Sequence, residues 1–106
     1  MTALHWEIEL AETQNQINLK GDLTRFTLFP LWQQRQQILT TLQANSKIIW
    51  NLIDIQQIDS AGFAFLCELL VASGKTGASV KITQVPNQCE MLADLFDLTE
   101  LFQTFR

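Results

Sequence analysis

The fold is decided by one stretch near the middle of the chain, Asn51-Leu52-Ile53-Asp54-Ile55-Gln56-Gln57-Ile58-Asp59-Ser60-Ala61-Gly62-Phe63. It begins within residues 47–53, which are mostly apolar and therefore predict a central strand covered on both faces. It ends in a helix that Asp59-Ser60 opens and that runs to about Ser73, because either side chain can accept a hydrogen bond from a first-turn amide. A functional loop is expected at residues 54–62, since ligands of α/β sheets bind at the carboxyl ends of central strands.

Two strands and a helix precede this stretch. Apolar and polar residues alternate over residues 6–10 and 16–20, with the polar residues 12–15 between them, which predicts a β-hairpin whose second strand ends at Gly21-Asp22. A first helix begins at Pro30, a residue that suits a first helical turn, and runs to about Gln43. The apolar stripe of this helix is formed by Leu31, Trp32, Ile38, Leu39 and Leu42.

A strand and two helices follow the central stretch. Residues 74–77 end the second helix, and Val80, Ile82 and Val85 indicate a fourth strand. Asn87 and Glu90 have the spacing of a capping box and begin a third helix, and residues 98–105 form a last short one. The order β-β-α-β-α-β-α-α predicts a single α/β domain over residues 1–106, with a mixed β-sheet and helices packed against it.

Composition limits the class of protein. The chain has 106 residues, 47% of them hydrophobic, which is enough for one core and one domain. Its net charge of −4 has the wrong sign for nucleic acid or for an anionic membrane surface. Only 17% of the residues are charged, against roughly 25% in typical soluble domains, and the mean hydropathy is +0.08. We therefore expect part of the surface to be covered by a partner.

No metal, cofactor or membrane anchor is expected. Cys67 and Cys89 lack the spacing of a zinc site and have a single histidine, His5, to share a metal with, so they are predicted to be free, buried thiols in helices. Residues 1–12 are acidic, unlike a signal peptide. Residues 63–72 are apolar but interrupted by Glu68, and a membrane span needs roughly 20 apolar residues. The expected compartment is the cytoplasm, with any membrane association through a partner.

Two short motifs resemble catalytic or nucleotide-binding signatures and lack their context. Ser73-Gly74-Lys75-Thr76 resembles the end of a P-loop, but Leu69 replaces the required glycine and the segment leaves a helix instead of opening one. Residues 58–62 resemble a nucleophile elbow without its first glycine, and nothing in the sequence brings His5 to Ser60 as a base. Enzymatic activity is therefore not expected.

Two helices carry residues that a simple amphipathic pattern does not explain. In the second helix, Phe65, Leu69 and Ala72 lie on the side away from the predicted core face, near Glu68. Either a neighbouring helix covers this side or another protein docks on it. In the first helix, Arg35 lies within the apolar stripe. One interpretation is that its aliphatic stem packs in the stripe while its charged head reaches water. The other is that its guanidinium holds a carboxylate or carbonyl at a fixed place.

A family resemblance rests on these residues. A strand that leads into Asp-Ser-x-Gly at a helix start, within this element order, resembles the STAS domains of anti-sigma-factor antagonists and sulfate-transporter tails, and the likeness covers nearly the whole chain. Within that family, Leu19-Lys20-Gly21-Asp22-Leu23 and Phe29-Pro30-Leu31-Trp32-Gln33-Gln34-Arg35 resemble the small cytoplasmic subunits of phospholipid-transporting ABC complexes. Two residues depart from the family pattern: Asn51 replaces a frequent aspartate, and Ala61 separates the serine from the glycine.

The resemblance implies a single STAS domain that acts as a non-catalytic accessory subunit in outer-membrane lipid asymmetry. Its expected partner is the ABC ATPase subunit, which would hold it at the inner membrane. The expected partner-binding residues are Asp59, Ser60, Ala61, Phe65, Glu68 and Ala72, with the third helix beside them, and Arg35 has a structural or functional role.

Two alternatives remain at this point. The first is an anti-sigma-factor antagonist, in which the serine that matches Ser60 is phosphorylated by a partner kinase. Phosphorylation would add about −1.5 to −2 charges to the contact and release the partner. The second is a small nucleotide- or lipid-binding protein that uses residues 54–62.

Overall fold

Four strands form one mixed sheet in the order β1-β2-β3-β4 in this computed structural model, which describes residues 1–42, 47–75 and 77–106. β1 (His5–Leu10) is antiparallel to β2 (Asn15–Leu23), so the predicted hairpin is confirmed. β3 (Lys47–Ile58) is parallel to β2, and β4 (Ser79–Thr83) is parallel to β3. The predicted α/β class and mixed sheet are confirmed.

Five helices connect and follow these strands in the described residues: α1 (Phe29–Gln33), α2 (Arg35–Leu42), α3 (Ser60–Ser73), α4 (Asn87–Leu95) and α5 (Thr99–Gln103). The bounds of α3 agree with the prediction. The prediction of a single first helix is wrong, because the chain leaves helical geometry at Gln34 (φ −98°, ψ 6°) and α2 begins at the next residue. Its predicted end, Gln43, lies outside the described residues. The capping box is also wrong, since Pro86 precedes α4 and no side-chain cap bond forms there.

The sheet has one covered face. Ile48, Trp50 and Leu52 of β3 are buried in the same core cluster as the inward residues of the helices. On the opposite face, Asn51 is half-buried and Ile53 is 59% exposed. The prediction that this strand is covered on both faces is therefore wrong, and its apolar Ile53 faces outward.

The open face carries a hydrogen-bonded ladder across all four strands. Asn18 donates to the Oε2 atom of Glu9 at 2.6 Å, and Asn51 donates to the Oδ1 atom of Asn18 at 2.9 Å. Thr83 donates to the Oδ1 atom of Asn51 at 3.4 Å. Asn51 can donate and accept, as an aspartate cannot at neutral pH, so it suits the centre of this ladder.

The prediction that residues 54–62 form a loop is wrong. β3 continues to Ile58, and Asp59 alone separates it from α3. The partner strand β2 likewise extends beyond Gly21-Asp22 to Leu23. Two register shifts between the strands, after Asn18 and after Gly21, change the inward–outward alternation, which hides the strand from a period-two pattern. No helix in the described part of the chain is long and apolar enough to cross a membrane.

Candidate functional site

Asp59 builds the start of α3. Its Oδ1 atom accepts a hydrogen bond from the Gly62 amide at 2.8 Å, so Asp59, and not Ser60, is the capping residue. Its Oδ2 atom accepts from the Arg25 amide at 3.0 Å, which ties the β2–α1 loop to the start of α3. Ser60 is the first residue of the helix and is exposed beside this junction.

Gly62 explains the spacing of the Asp-Ser-x-Gly motif. A Cβ atom at this position would lie 1.9 Å from the carbonyl oxygen of Leu23, the last residue of β2. No side chain fits at that distance, so the glycine allows α3 to pack directly on the end of β2. The motif therefore fixes where Ser60 stands relative to the β2–α1 loop.

The outer side of α3 is divided between buried and exposed residues. Phe65 and Leu69 are only 5% and 1% exposed, so of the two interpretations left open for this side, a free docking surface is not what the structure shows at these residues. The neighbouring α2 contacts this side of α3 and covers it, which is the plainer of the two interpretations. Ala72 is half-buried. The exposed stripe of α3 consists of Ser60, Ala61, Ala64, Glu68, Val71 and the following Lys75.

A groove of about 450 Å³ lies between α2 and α3, and it brings together four of the predicted site residues. Its lining includes Arg35, Phe65, Glu68 and Ala72. Asp59, Ser60 and Ala61 lie at the amino end of the same helix and do not line the groove. The predicted residues therefore occupy one side of α3, partly on its exposed stripe and partly in the groove beside it.

Arg35 is held within the domain. Its Nη1 atom donates to the carbonyl oxygen of Trp32 at 2.7 Å, and its guanidinium carbon lies 4.1 Å from the centre of the Trp32 ring. Arg35 therefore contacts both a carbonyl and a ring within the domain. A lysine could not make both contacts with one planar group.

Three exposed aromatic residues of the β2–α1 loop and of α1 were missed by the sequence patterns. Phe26, Phe29 and Trp32, which we term the aromatic cluster, are 69%, 57% and 41% exposed. Phe29 stacks on Trp32 with ring centres 5.8 Å apart, and the Arg25 guanidinium lies 4.8 Å from the Phe26 ring. The assignment of Trp32 to the inward stripe is wrong. The spacing of three residues between these rings was the available signal.

A second exposed apolar region lies on α4. Met91 and Leu95, one helical turn apart, are 71% and 73% exposed, and Phe96 after the helix is 47% exposed. We term these three residues the α4 patch. A shallow cavity of about 440 Å³ beside it is lined by Ile58, Leu92 and Asp94 together with Met91 and Leu95.

The other residues that resembled parts of a catalytic or nucleotide-binding site lie apart from Ser60. His5 pairs with Lys20 and lines a small cavity on the open face, whereas Ser60 begins a helix on the covered face. Ser73, in the segment that resembles a P-loop, is buried and accepts a hydrogen bond from the Trp50 Nε1 atom at 3.1 Å; Thr76 lies outside the described residues. Within residues 1–42, 47–75 and 77–106, no three His, Cys, Asp or Glu side chains are grouped to hold a metal ion.

The two cysteines are free and buried, as predicted. Burial raises the pKa of the Cys67 thiol in α3. Burial, followed by the proximity of Cys67 and Glu90, raises the pKa of Cys89 in α4 to about 12. Because a thiolate is the reactive form of cysteine, both residues are expected to be inert packing groups at neutral pH.

Comparisons with known proteins find relatives that match most of this chain. A family model described as "Mlab, STAS domain" matches residues 6–103. The intermembrane phospholipid transport system binding protein MlaB of Haemophilus influenzae is 40% identical over 103 residues, which cover 96% of this chain and 98% of that protein. The protein of the same name from Escherichia coli K12 is 26% identical over 87 residues, covering 82% of this chain and 84% of the relative.

Among solved structures, the unphosphorylated anti-sigma factor antagonist SpoIIAA is similar, with a TM-score of 0.59 and 16% identity over 82% of this chain and 80% of that one. At this identity the likeness shows the fold alone. The family model and the Haemophilus influenzae relative each span nearly the whole chain. The chain therefore belongs to the STAS-domain family, among its MlaB-type members.

Proposed function

We propose that the protein is the STAS-domain subunit of an intermembrane phospholipid transport system and that it binds and supports the system's ABC ATPase, an MlaF-like subunit. The 40% identity to an MlaB protein over 96% of the chain supports the choice of system. The chain itself carries out no reaction in this proposal. Its contribution is a surface that docks on the ATPase.

The observation that carries the docking role is the small-residue side of α3 beside the aromatic cluster. Ser60, Ala61, Ala64 and Glu68 are exposed along the helix, and together with the aromatic cluster they form what we term the docking surface. Small side chains let a partner approach the helix closely, and aromatic side chains contribute strongly to the binding energy of protein interfaces. The two parts are joined by the hydrogen bond between the Arg25 amide and Asp59.

The predicted residues have different tasks in this surface. Ser60, Ala61 and Glu68 contact the partner directly, and Asp59 holds the helix start against the β2–α1 loop. Phe65 and Ala72 form the wall of the adjoining groove, which a partner side chain enters past Arg35. Phe65 thus contributes through the shape of the groove and not as an exposed ring.

The location proposed for the protein follows from this partner. The chain has a net charge of −4, which disfavours direct binding to anionic lipid headgroups. The ATPase of a transporter works on the cytoplasmic side of its membrane complex. We therefore place the protein in the cytoplasm, at the inner membrane through its partner.

A second candidate function is supported by Ser60 and by the fold of SpoIIAA. Ser60 is exposed at a helix start, where a kinase can reach its hydroxyl. A phosphate there would lie beside Asp59 and on the same helix side as Glu68, so like-charge repulsion would release an acidic partner. In this alternative the protein is an anti-sigma-factor antagonist. Co-purification separates the two, because it recovers either an ABC ATPase or a kinase-like anti-sigma factor.

The direct test replaces Ser60 by glutamate and measures binding of the purified ATPase subunit by calorimetry. We expect Ser60→Glu to lower the affinity at least about a hundredfold, because it puts a bulky charge in the close contact. It should not unfold the domain, since an acidic residue in the first turn favours the helix. Thr99→Glu is the matched control, because Thr99 is an exposed hydroxyl residue that begins α5. Equal binding by wild type and Ser60→Glu would refute the proposed docking surface.

A further inference from the structure

The segment before β1 is bonded to the end of β2. The Thr2 amide donates to the Oδ2 atom of Asp22 at 3.0 Å, and the Asp22 amide donates back to the Thr2 carbonyl at 3.1 Å. Leu4 anchors the segment in the core, where it is 6% exposed. We term residues 1–4 the strap.

Gly21 makes room for the strap. Its φ of +98° lies in the region that favours glycine, and a Cβ atom there would lie 2.1 Å from the Ala3 carbonyl oxygen. The backbone of β2 and the backbone of the strap therefore touch without an intervening side chain. The position of residues 1–4 is specified by the fold and is not that of a loosely attached end.

Asp22 connects the strap to the β2–α1 loop. Its carbonyl oxygen accepts a hydrogen bond from the Thr27 hydroxyl at 2.6 Å, and the Thr27 Oγ1 atom in turn accepts from the Thr24 amide at 3.0 Å. Asp22 is 5% exposed, so these bonds form away from bulk water. The carboxylate of Asp22 faces the strap while its carbonyl faces the loop.

The loop that Asp22 holds carries part of the docking surface. Residues 24–27 include Phe26 of the aromatic cluster and Arg25, whose amide bonds to Asp59 at the start of α3. Met1 lines the same two cavities as Phe26, of about 400 and 290 Å³. The strap therefore borders the docking surface as well as supporting the loop beneath it.

We propose that residues 1–4 are a positioning strap: through Asp22 they fix the loop of residues 24–27, and so set the orientation of Phe26 and Arg25 for the partner. This inference rests on the proposed function for its consequence in binding. Its physical content, that the strap holds the loop, does not depend on any partner. The strap acts through Asp22 and Thr27, so these are positioning residues.

The first test removes one hydrogen bond of the strap. Thr2→Pro deletes the amide that donates to Asp22, whereas the control Thr2→Ala keeps this amide and loses only an exposed bond to Gln56. Hydrogen exchange of the Thr27 and Leu28 amides, which bond to the Thr24 carbonyl, reports on the loop in the full chain. We expect exchange to accelerate about tenfold in Thr2→Pro and to stay unchanged in Thr2→Ala.

The second test uses Asp22 and the ATPase subunit. Asp22→Asn keeps an oxygen that accepts from Thr2, so it should bind the ATPase within about threefold of wild type, whereas Asp22→Ala and Thr2→Pro should lose about tenfold. Rescue by asparagine separates positioning from a general requirement for charge. A melting curve on each variant identifies any that fails to fold. If Asp22→Ala does not fold, the ATPase affinity of Thr2→Pro alone tests the proposal.

The outcomes separate this inference from the proposed function. Unchanged exchange at Thr27 in Thr2→Pro overturns the strap, whatever the partner does. Faster exchange with undiminished ATPase affinity overturns its role in docking. If wild type does not bind the ATPase at all, the proposed function fails, and the exchange data alone then support or overturn the strap as the holder of the loop.

Discussion

The aromatic cluster and the α4 patch both expose large apolar side chains, but they hold them differently. Phe29 and Trp32 are stacked, and Trp32 lies under the Arg35 guanidinium. Met91 and Leu95 of the α4 patch are more exposed, with acidic neighbours such as Asp94 beside them. The first region is a set of rings fixed by cation–π and stacking contacts, and the second is a row of flexible aliphatic chains.

This difference bears on which region suits a specific partner. Side chains that are already ordered lose little conformational entropy on binding, whereas long flexible ones lose about 0.5–1.5 kcal/mol each. Phe26 of the aromatic cluster also lines a cavity with Asp59, which caps the start of α3. An exposed apolar residue therefore indicates a specific binding surface most strongly when its neighbours hold it in one orientation.

The two apolar regions also bear on the low charged fraction of the sequence, which led us to expect a surface covered by a partner. The apolar side of α3 was one candidate for this surface, but its Phe65 and Leu69 are buried. Six exposed large apolar side chains lie in the aromatic cluster and the α4 patch, whereas others are exposed elsewhere: Met1, Leu10, Ile53, Val71 and Leu101. The low charged fraction thus points to two surface regions, neither of them the one that the helical pattern indicated.

The largest expected effect comes from breaking the contact that positions the aromatic cluster next to α3. Gly62→Ala should lower the free energy of unfolding by about 3 kcal/mol, because the added Cβ would lie 1.9 Å from a backbone oxygen of Leu23. Chemical denaturation followed by circular dichroism measures this change.

The same helix offers a matched control for this substitution. Gly74 follows the last residue of α3, and a Cβ there would meet its nearest neighbour at an ordinary 3.6 Å. Gly74→Ala should therefore change the free energy of unfolding by less than about 1 kcal/mol. Equal destabilisation by the two substitutions would mean that the close approach of α3 to β2 does not limit the fold.

The next largest effect distinguishes the two apolar regions directly. Trp32→Ala should weaken ATPase binding about thirtyfold, or about 2 kcal/mol, because it removes a ring with two ordered neighbours. Leu95→Ala removes a side chain that is 73% exposed on α4 and should change the affinity by less than about twofold. Binding is measured by calorimetry on both variants after their melting temperatures have been compared. A loss of affinity confined to Leu95→Ala would move the partner to the α4 patch.

Much of the fold could be predicted because its local signals are strong. The hairpin alternates with period two, and α3 has a polar cap at Asp59 and a glycine at its end. The Asp-Ser-x-Gly motif located the start of α3 correctly. These features depend on residues that are neighbours in sequence, where patterns are informative.

The errors arose where distant residues decide the structure. Strand residues 54–57 pair with β2 through register shifts, which no local pattern shows. Phe65 is buried by α2, a helix more than twenty residues away in sequence. Trp32 is an exception, because the contacts of its exposed ring are local: Phe29 and Arg35 lie three residues away on either side. The motif residues of the candidate site could thus be read from the sequence, whereas the burial of Phe65 depended on tertiary contacts.

The effect that is smallest at neutral pH concerns the buried side of α4, because it appears only at alkaline pH. Cys89 has a pKa of about 12 in the fold, above the value near 9 of an unfolded thiol, because burial disfavours the thiolate. Its stabilising contribution is therefore complete below pH 9 and is lost as the pH rises towards 12. Between pH 9 and 12, the loss of this contribution lowers the free energy of unfolding by at most about 1.4 kcal/mol per pH unit.

The titration of Cys89 is isolated by comparing wild type with Cys89→Ala, because lysines and other groups that ionise at high pH contribute equally to both. The difference between their unfolding free energies should be constant from pH 6 to 8 and should narrow from pH 9 upward, since the alanine variant has no thiol to deprotonate. Denaturant titrations at each pH provide the measurement. Parallel curves up to pH 10.5 would show that Cys89 ionises alike in both states, and that the inner side of α4 admits water as readily as its exposed patch.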